Sequence, residues 1–239
     1  ITNPEEVRLP PYLPDLPEVR SDLARHYDNI HLMDRRVGKI LQALKGDGLL
    51  ENTIVVWTTD HGDGLPRSKR ELYDSGTKVP LLIAYPPSLQ DKYHTRLNQE
   101  DPRLVSFVDL APTVLTWAGL SPPIWLHGMP LTTSDRSYVY ASRDRIDEVL
   151  DRQRAIRSKQ FRYIRSWYPG VAGGHLLTYR DNLEMVRAWR AAYMAATLTE
   201  QQAKWFEAVG SEQLYDLAAD PHELNNLADA PDYQKTKAL

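Results

Sequence analysis

The sequence predicts an α/β fold: a mixed or parallel sheet with flanking helices, followed by a small C-terminal antiparallel β plus α subdomain. Three observations carry this. Two short apolar runs, Ile54-Val55-Val56-Trp57 and residues 79–84, enclose a polar segment, as buried strands joined by a functional loop do. A stripe of apolar residues at helical spacing precedes them. After Asp135 the pattern changes to apolar and basic residues in alternation, the mark of an antiparallel hairpin with one wet face. The chain is therefore expected to divide into 1–135 and 136–239, which its length allows.

Taken in order, residues 1–16 carry Pro4, Pro10, Pro11 and Pro14 and should run extended as a connector. Asp15, Pro17 and Glu18 read as a helix start: a capping carboxylate, an early proline, and an acid three residues after the cap. That helix should continue to about Leu44, with Leu23, Tyr27, Ile30, Val37, Leu41 and Leu44 on one stripe. Asp34 falls on the stripe and is expected to be a buried, hydrogen-bonded acid. Gly46 and Gly48 end the helix. Beyond the second strand, residues 92–101 read as an exposed polar loop. Residues 106–118 read as a helix, followed by a connector holding Gly119, Pro122 and Pro123. The lone loop histidine, His127, reads as structural or solvated. A short strand is expected at 138–141 and a hairpin around Lys159-Gln160, most of its arginines facing solvent. Helices are expected at 183–195 and 199–209. Residues 212–228 should form a strand, a turn at Asp220-Pro221 and a short helix.

Composition bounds the function. Hydrophobic residues make up 42%, enough for a sizeable core and too many for a disordered chain. A net charge of −3 gives no sign of a general nucleic-acid binder. No apolar run approaches the ~20 residues a helix needs to span a membrane. Cysteine is absent, which removes disulfides and thiolate metal sites. The chain starts at Ile1, so a start inside a domain is expected, and the lack of a leader carries no information about compartment.

Between the two strands lies Asp60-His61-Gly62-Asp63-Gly64, then Lys69, Tyr73, Gly76 and Pro80. Ligands of open α/β sheets gather beyond the carboxyl ends of strands, so an Asp and a His there, followed by glycines that let the backbone turn, make a metal corner. Taken singly, Asp60 reads equally as a turn residue, His61 as a packed histidine and Lys69 as a solvated charge. At their joint spacing the segment resembles the sulfatases of the alkaline phosphatase superfamily. Their pattern runs from a strand through Asp-Asn or Asp-His-Gly to Lys-x-x-x-Tyr-x-x-Gly-x-x-x-Pro and a second strand. A distant stretch, EQLYDLAADPHELNNLA at 212–228, is similar to the sulfatase tail. Residues 13–49 look most like the heparan N-sulfatase (sulfamidase) type.

The resemblance implies an alkaline-phosphatase-like sheet and a sulfuric ester hydrolase acting on sulfate esters or N-sulfates, with a sulfated small molecule or glycan as substrate. It implies one divalent metal, held by Asp60 and His61 with carboxylates that have no counterpart here. It implies Lys69 as a catalytic cation on a sulfate or leaving-group oxygen; Arg67 and Arg70 lie off the motif position and should matter less. Calcium is the usual ion of the family and prefers oxygen ligands, whereas the imidazole of His61 suits Mn²⁺, Zn²⁺ or Fe²⁺, so the ion stays open. The family nucleophile is a formylglycine made from the Cys or Ser of Cys/Ser-x-Pro/Ala-x-Arg. No Cys is present, and Ser121-Pro122-Pro123 lacks that arrangement. The chain therefore reads as the C-terminal part of such an enzyme, inactive alone, with periplasmic, secreted and lysosome-like compartments all open. Two rivals stand beside this reading. One is a phosphonate monoester or phosphodiester hydrolase of the same superfamily. The other is a non-catalytic fragment that binds sulfated glycans through Arg154, Arg157, Arg162 and Arg165.

Overall fold

The computed structural model describes residues 1–90 and 99–237; most of the polar loop expected at 92–101 lies outside the described residues. Helix α1 (Pro17–Gly46) opens with a proline, whose missing N–H costs nothing in the first turn. The cap differs from expectation. Leu16 is the N-cap and offers no side-chain bond, while Asp15 forms a forked ion pair with Arg20 at 2.5 and 2.8 Å. Only the start of α1 is buried: Val19, Asp22, Leu23 and Ala24. Tyr27, Val37, Leu41 and Leu44 are half-buried, and Ile30 is exposed. Asp34 is exposed, which corrects its expected burial. The buried acid is Asp22, whose carboxylate accepts the Met185 N–H at 3.0 Å and so satisfies a free donor in the first turn of α5 (below).

Strands β1 (Val55–Thr58) and β2 (Leu81–Ala84) pair antiparallel, Val55 opposite Ala84 and Thr58 opposite Leu81. The expected buried parallel strand is thus, among the described residues, half of a two-stranded ribbon with Val56 and Leu82 exposed on opposite faces. The physical reason lies in the connection. It carries only the single turn α2 (Asp74–Thr77) and returns to the end it left, where the Thr58 hydroxyl donates to the Pro80 carbonyl at 2.8 Å.

A short α3 (Pro87–Gln90) follows, then a 3₁₀ turn, Phe107–Asp109, leading into α4 (Leu110–Trp117). Ser106 and Asp109 form a capping box, and Asp109 also binds the guanidinium of Arg136. The C-terminal sheet is antiparallel in the order β3 (Val139–Ile146), β4 (Val149–Arg157), β5 (Phe161–Ser166), β6 (Glu212–Asp216). Helices α5 (Glu184–Met194), α6 (Glu200–Ala203) and α7 (Gln234–Lys237) complete the chain. Helix α6 is shorter than expected because the chain tightens into a 3₁₀ turn at Lys204–Phe206. That turn lays Trp205 on Trp189 with centroids 4.5 Å apart. The helix expected before residue 228 is replaced by side-chain caps: Asp220 accepts the Leu224 and Asn225 N–H groups, each at 2.7 Å.

The main apolar core joins Val7, Tyr12, Leu13, Val19, Leu23 and Ala24 to Met185, Val186, Trp189 and Trp205. A smaller one sets Leu72 against Ala155 and Ile164, under the β1–β2 loop. No helix among the described residues is long and apolar enough to cross a membrane.

Candidate active site

The loop between β1 and β2 is closed by glycines. Gly62 donates to the Gly76 carbonyl at 2.9 Å; a Cβ on Gly62 would collide with the Ser75 carbonyl, and one on Gly76 with the carbonyls of Ser68 and Glu71. Asp60 and His61 stand just past the end of β1. The Asp60 side chain is 87% exposed, and its Oδ2 lies 3.5 Å from His61 Nε2. His61 Nδ1 lies 2.7 Å from the Gly62 carbonyl oxygen. A carbonyl only accepts, so Nδ1 carries a proton and donates it, which leaves Nε2 turned toward the Asp60 carboxylate. The two side chains therefore meet at one point. Among the described residues no group of three or more His, Asp or Glu side chains could hold a metal ion, so Asp60 and His61 form a pair of polar groups and not a shell.

Lys69 sits on a stiffer piece of backbone. Arg67 and Arg70, on either side of it, both adopt the left-handed region, with φ of 62° and 74°. Each such residue costs about 1–3 kcal/mol and persists only where its surroundings hold it. Arg67 is buried: its guanidinium lies 4.5 Å from the Tyr12 ring centroid and 4.2 Å from that of Tyr73, and donates to the Glu223 carbonyl at 2.6 Å. Arg70 pairs with Asp147 at 2.7 Å, and its carbonyl accepts from Arg143 at 2.6 Å. The half-buried Lys69 donates its backbone N–H to the Asp63 carbonyl at 2.9 Å, and its ammonium lies 5.2 Å from the Tyr179 ring centroid. Among the described residues no carboxylate pairs with it. The structure brings Asp60 and His61 together but forms no direct bond from either to Lys69. A second histidine, His26 of α1, is 3.1 Å from Asp63. Its hydrogen bond to that carboxylate raises its pKa above the usual histidine value.

Beneath the loop lies a buried ionic network that sequence reading missed. Glu71 binds Arg143 at 2.8 Å, and Arg143 binds Asp151 at 2.6 Å. Asp74 takes Arg157 at 2.8 Å and also Arg162. Arg162 reaches Glu223 at 2.8 Å, and Glu223 in turn accepts the Asp74 N–H at 2.7 Å. Burial pushes the Asp74 carboxyl up, but Arg157 and Arg162 outweigh it and hold the group below its ordinary value. At Glu223 burial wins over Arg162, and the carboxyl is pushed up to about 7. The expected wet face of the hairpin is therefore inverted at Arg162, which is 1% exposed. Arg157 and Arg162 are committed to Asp74, so the glycan-binding rival loses half of its arginines. The only advance signal was that Glu223 falls in the tail motif.

The sequence model of the sulfatase family matches residues 4–120. An ulvan-active sulfatase of Formosa agariphila is 40% identical over 231 residues, covering 95% of this chain and 38% of that protein. Human N-sulphoglucosamine sulphohydrolase is 29% identical, covering 96% of this chain and 48% of that protein. The chain thus spans less than half the length of either relative. The phosphonate monoester hydrolase of Agrobacterium radiobacter superposes with a TM-score of 0.63 at 23% identity, over 93% of this chain and 40% of that one. That likeness shows a shared fold, α/β with flanking helices of the alkaline phosphatase type. On the family match and the sequence relatives together, the chain belongs to the sulfatase family.

Proposed function

We propose that this chain is the C-terminal part of a metal-dependent sulfatase that hydrolyses sulfate esters or N-sulfates of carbohydrates. The observation that carries the proposal is the His61 geometry: Nδ1 donates to the Gly62 carbonyl and Nε2 faces Asp60 at 3.5 Å. Metal-binding histidines are oriented by such a bond on the ring nitrogen that does not bind the ion. Asp60 and His61 would supply two donors of a divalent-metal shell, with the remaining donors outside these residues. When bound, the metal would withdraw charge from the reacting oxygens. The oxygen of Asp60 fits Ca²⁺, the nitrogen of His61 fits Mn²⁺ better, and the pair accommodates either.

Lys69 would place its ammonium on an oxygen of the sulfuryl group or of the leaving alcohol. Two left-handed arginines, each tied to the rest of the fold, fix the backbone that carries it, so the charge is positioned before substrate arrives. A formylglycine made from cysteine cannot arise within these 239 residues. The chain alone should therefore hydrolyse no sulfate ester. We place the functional boundary near residue 135, just before β3, although the main apolar core packs α1 against α5 across it.

Two measurements test the reading. Calorimetry with Mn²⁺ and Ca²⁺ should show weak binding to the chain and none to Asp60→Ala; tight binding indifferent to that change would put the metal elsewhere. In a protein completed by its upstream segment, Lys69→Ala should lower kcat/KM for a sulfate ester by on the order of a hundredfold, with melting unchanged. An effect below threefold would remove Lys69 from the chemistry.

A further inference from the structure

The outward face of the β3–β6 sheet lies opposite the candidate active site. Gln153, Ala155, Arg162 and Ile164 are buried on the face covered by the Leu72 segment. By strand alternation Arg152, Arg154 and Arg165 point the other way. Arg152 and Arg165 are exposed, and Arg154 is half-buried. Arg154 and Arg165 stand directly opposite each other in the β4–β5 register. Like charges so opposed destabilise an antiparallel pair, and Arg154 is offset locally by its bond to the Gln153 carbonyl at 2.7 Å and its ion pair with Asp144. The same face carries Trp167, whose ring centroid lies 5.1 Å from the guanidinium of Arg152 and 5.6 Å from that of Arg165. Asp144 is the nearby carboxylate, 2.8 Å from Arg154 and 4.0 Å from Arg152. Glu212, opposite Arg165, is already engaged by Tyr163 and by Lys237. Arg152 and Arg154 thus share Asp144, while Arg165 stands beside Glu212, a carboxylate that also serves Tyr163 and Lys237.

We propose that this face is a docking surface for a sulfated polysaccharide, separate from the candidate active site. The indole holds two guanidinium planes, so their N–H forks meet an oxyanion with little further ordering. Neighbouring arginines on adjacent strands are ~5 Å apart in backbone, and those two residues along a strand ~7 Å, so they address successive anionic groups of a chain laid across the sheet. The same geometry argues against nucleic acid. Sequence-tolerant strand binding needs a free aromatic face on which bases stack, and here guanidiniums lie against the ring. The choice of a sulfated chain rests on the sulfatase reading above; the surface itself uses none of that site's residues.

The test titrates the 239-residue chain with a highly sulfated polysaccharide, with its desulfated form and with duplex DNA, at low and high salt. The proteins compared are the parent, Arg152→Gln/Arg165→Gln, Arg165→Lys and Lys69→Ala. Only the sulfated form should bind, and salt should weaken it. The double variant should bind about tenfold more weakly, Arg165→Lys should fall between, and Lys69→Ala should match the parent. Equal binding by the parent and all three variants would overturn the proposal. So would loss of binding in Lys69→Ala, which would move the polymer to the candidate active site, or tighter binding of duplex DNA through the same arginines. Normal polymer binding beside unimpaired hydrolysis by a completed Lys69→Ala enzyme would sink the catalytic reading alone.

Discussion

The loop between β1 and β2 has two halves of similar polarity and opposite construction. Residues 59–64 stand half-buried or exposed, and their side chains bond mainly to one another and to nearby backbone. Residues 66–68, 71 and 72 are buried, and charges from β3, β4, β5 and the tail converge on the second half. The difference teaches where the rigidity of the site comes from. The Asp60–His61 corner is held by its glycines and by Thr58 and Thr59, whereas the segment bearing Lys69 is bolted from below by Arg67, Glu71 and Asp74. A mutation of Arg67, Glu71 or Asp74 in the second half should act on folding, and one in the first half on ligand affinity.

The largest expected effect is at Arg162. Arg162→Met removes the cation shared by Asp74 and Glu223 while keeping much of the side-chain volume. Breaking a buried ion pair from one side typically costs about 3–5 kcal/mol, and denaturant unfolding should show a loss of that order. Adding Glu223→Gln should return part of it, because one of the stranded carboxylates is then neutral. If Arg162→Met were silent, the network would be ornamental and the comparison of the two halves would collapse.

Next comes Arg67→Ala, which leaves a space between two tyrosine rings and frees the Glu223 carbonyl. A loss of about 2–4 kcal/mol is expected by equilibrium unfolding. Lys69→Ala, two residues on, should cost under about 0.5 kcal/mol, because its ammonium lies against the exposed Tyr179 ring and pairs with no carboxylate among the described residues. Arg67 is therefore unsuitable as a neutral control for Lys69, contrary to what its position off the motif implied.

Why the sequence showed one half and hid the other follows from the same contrast. The corner is local: Asp60, His61 and Gly62 are neighbours, and a short motif between two apolar runs makes them visible. Lys69, Tyr73 and Gly76 keep their spacing because a short loop must close on itself through Gly62 and Gly76. The network joins Arg67 to Glu223, Asp74 to Arg157, and Glu71 to Arg143, partners 72 to 156 residues apart. Nothing in the periodicity of a strand says whether an arginine faces water or a carboxylate brought from another loop. Arg162 alternates with Tyr163 as a surface residue would. The α/β class, α5 and the hairpin were legible because they rest on local spacing. The antiparallel pairing of β1 with β2 was not, because apolar runs do not encode direction.

A third effect, of intermediate size, is on pH dependence. Burial raises Glu223 from 4.5 to about 7. A carboxyl raised in the folded state takes up a proton on folding. Its contribution is complete below about pH 4.5 and is lost as pH rises through about 7. Glu223→Gln fixes the neutral form, so its unfolding midpoint should change less than the parent's across that window. Parallel profiles for the two proteins would show that Glu223 is ionised throughout and that Arg162 outweighs burial.

The smallest effect on folding is expected at Asp60. Its side chain is 87% exposed, and the neighbour it faces is the His61 ring, 3.5 Å away. Asp60→Ala should change stability by under about 0.5 kcal/mol in the absence of added metal. Metal breaks this near-silence, because a ligand bound only by the native state raises stability in proportion to its occupancy. Millimolar Mn²⁺ should therefore raise the melting temperature of the parent slightly and that of Asp60→Ala not at all. Arg162→Met should show the converse: a lower melting temperature and an undiminished response to Mn²⁺, since Asp60, His61 and the Gly62 carbonyl that orients the ring make no contact with Arg162. If both variants lost the response together, the corner would depend on the network beneath Lys69, and the loop would have one half rather than two.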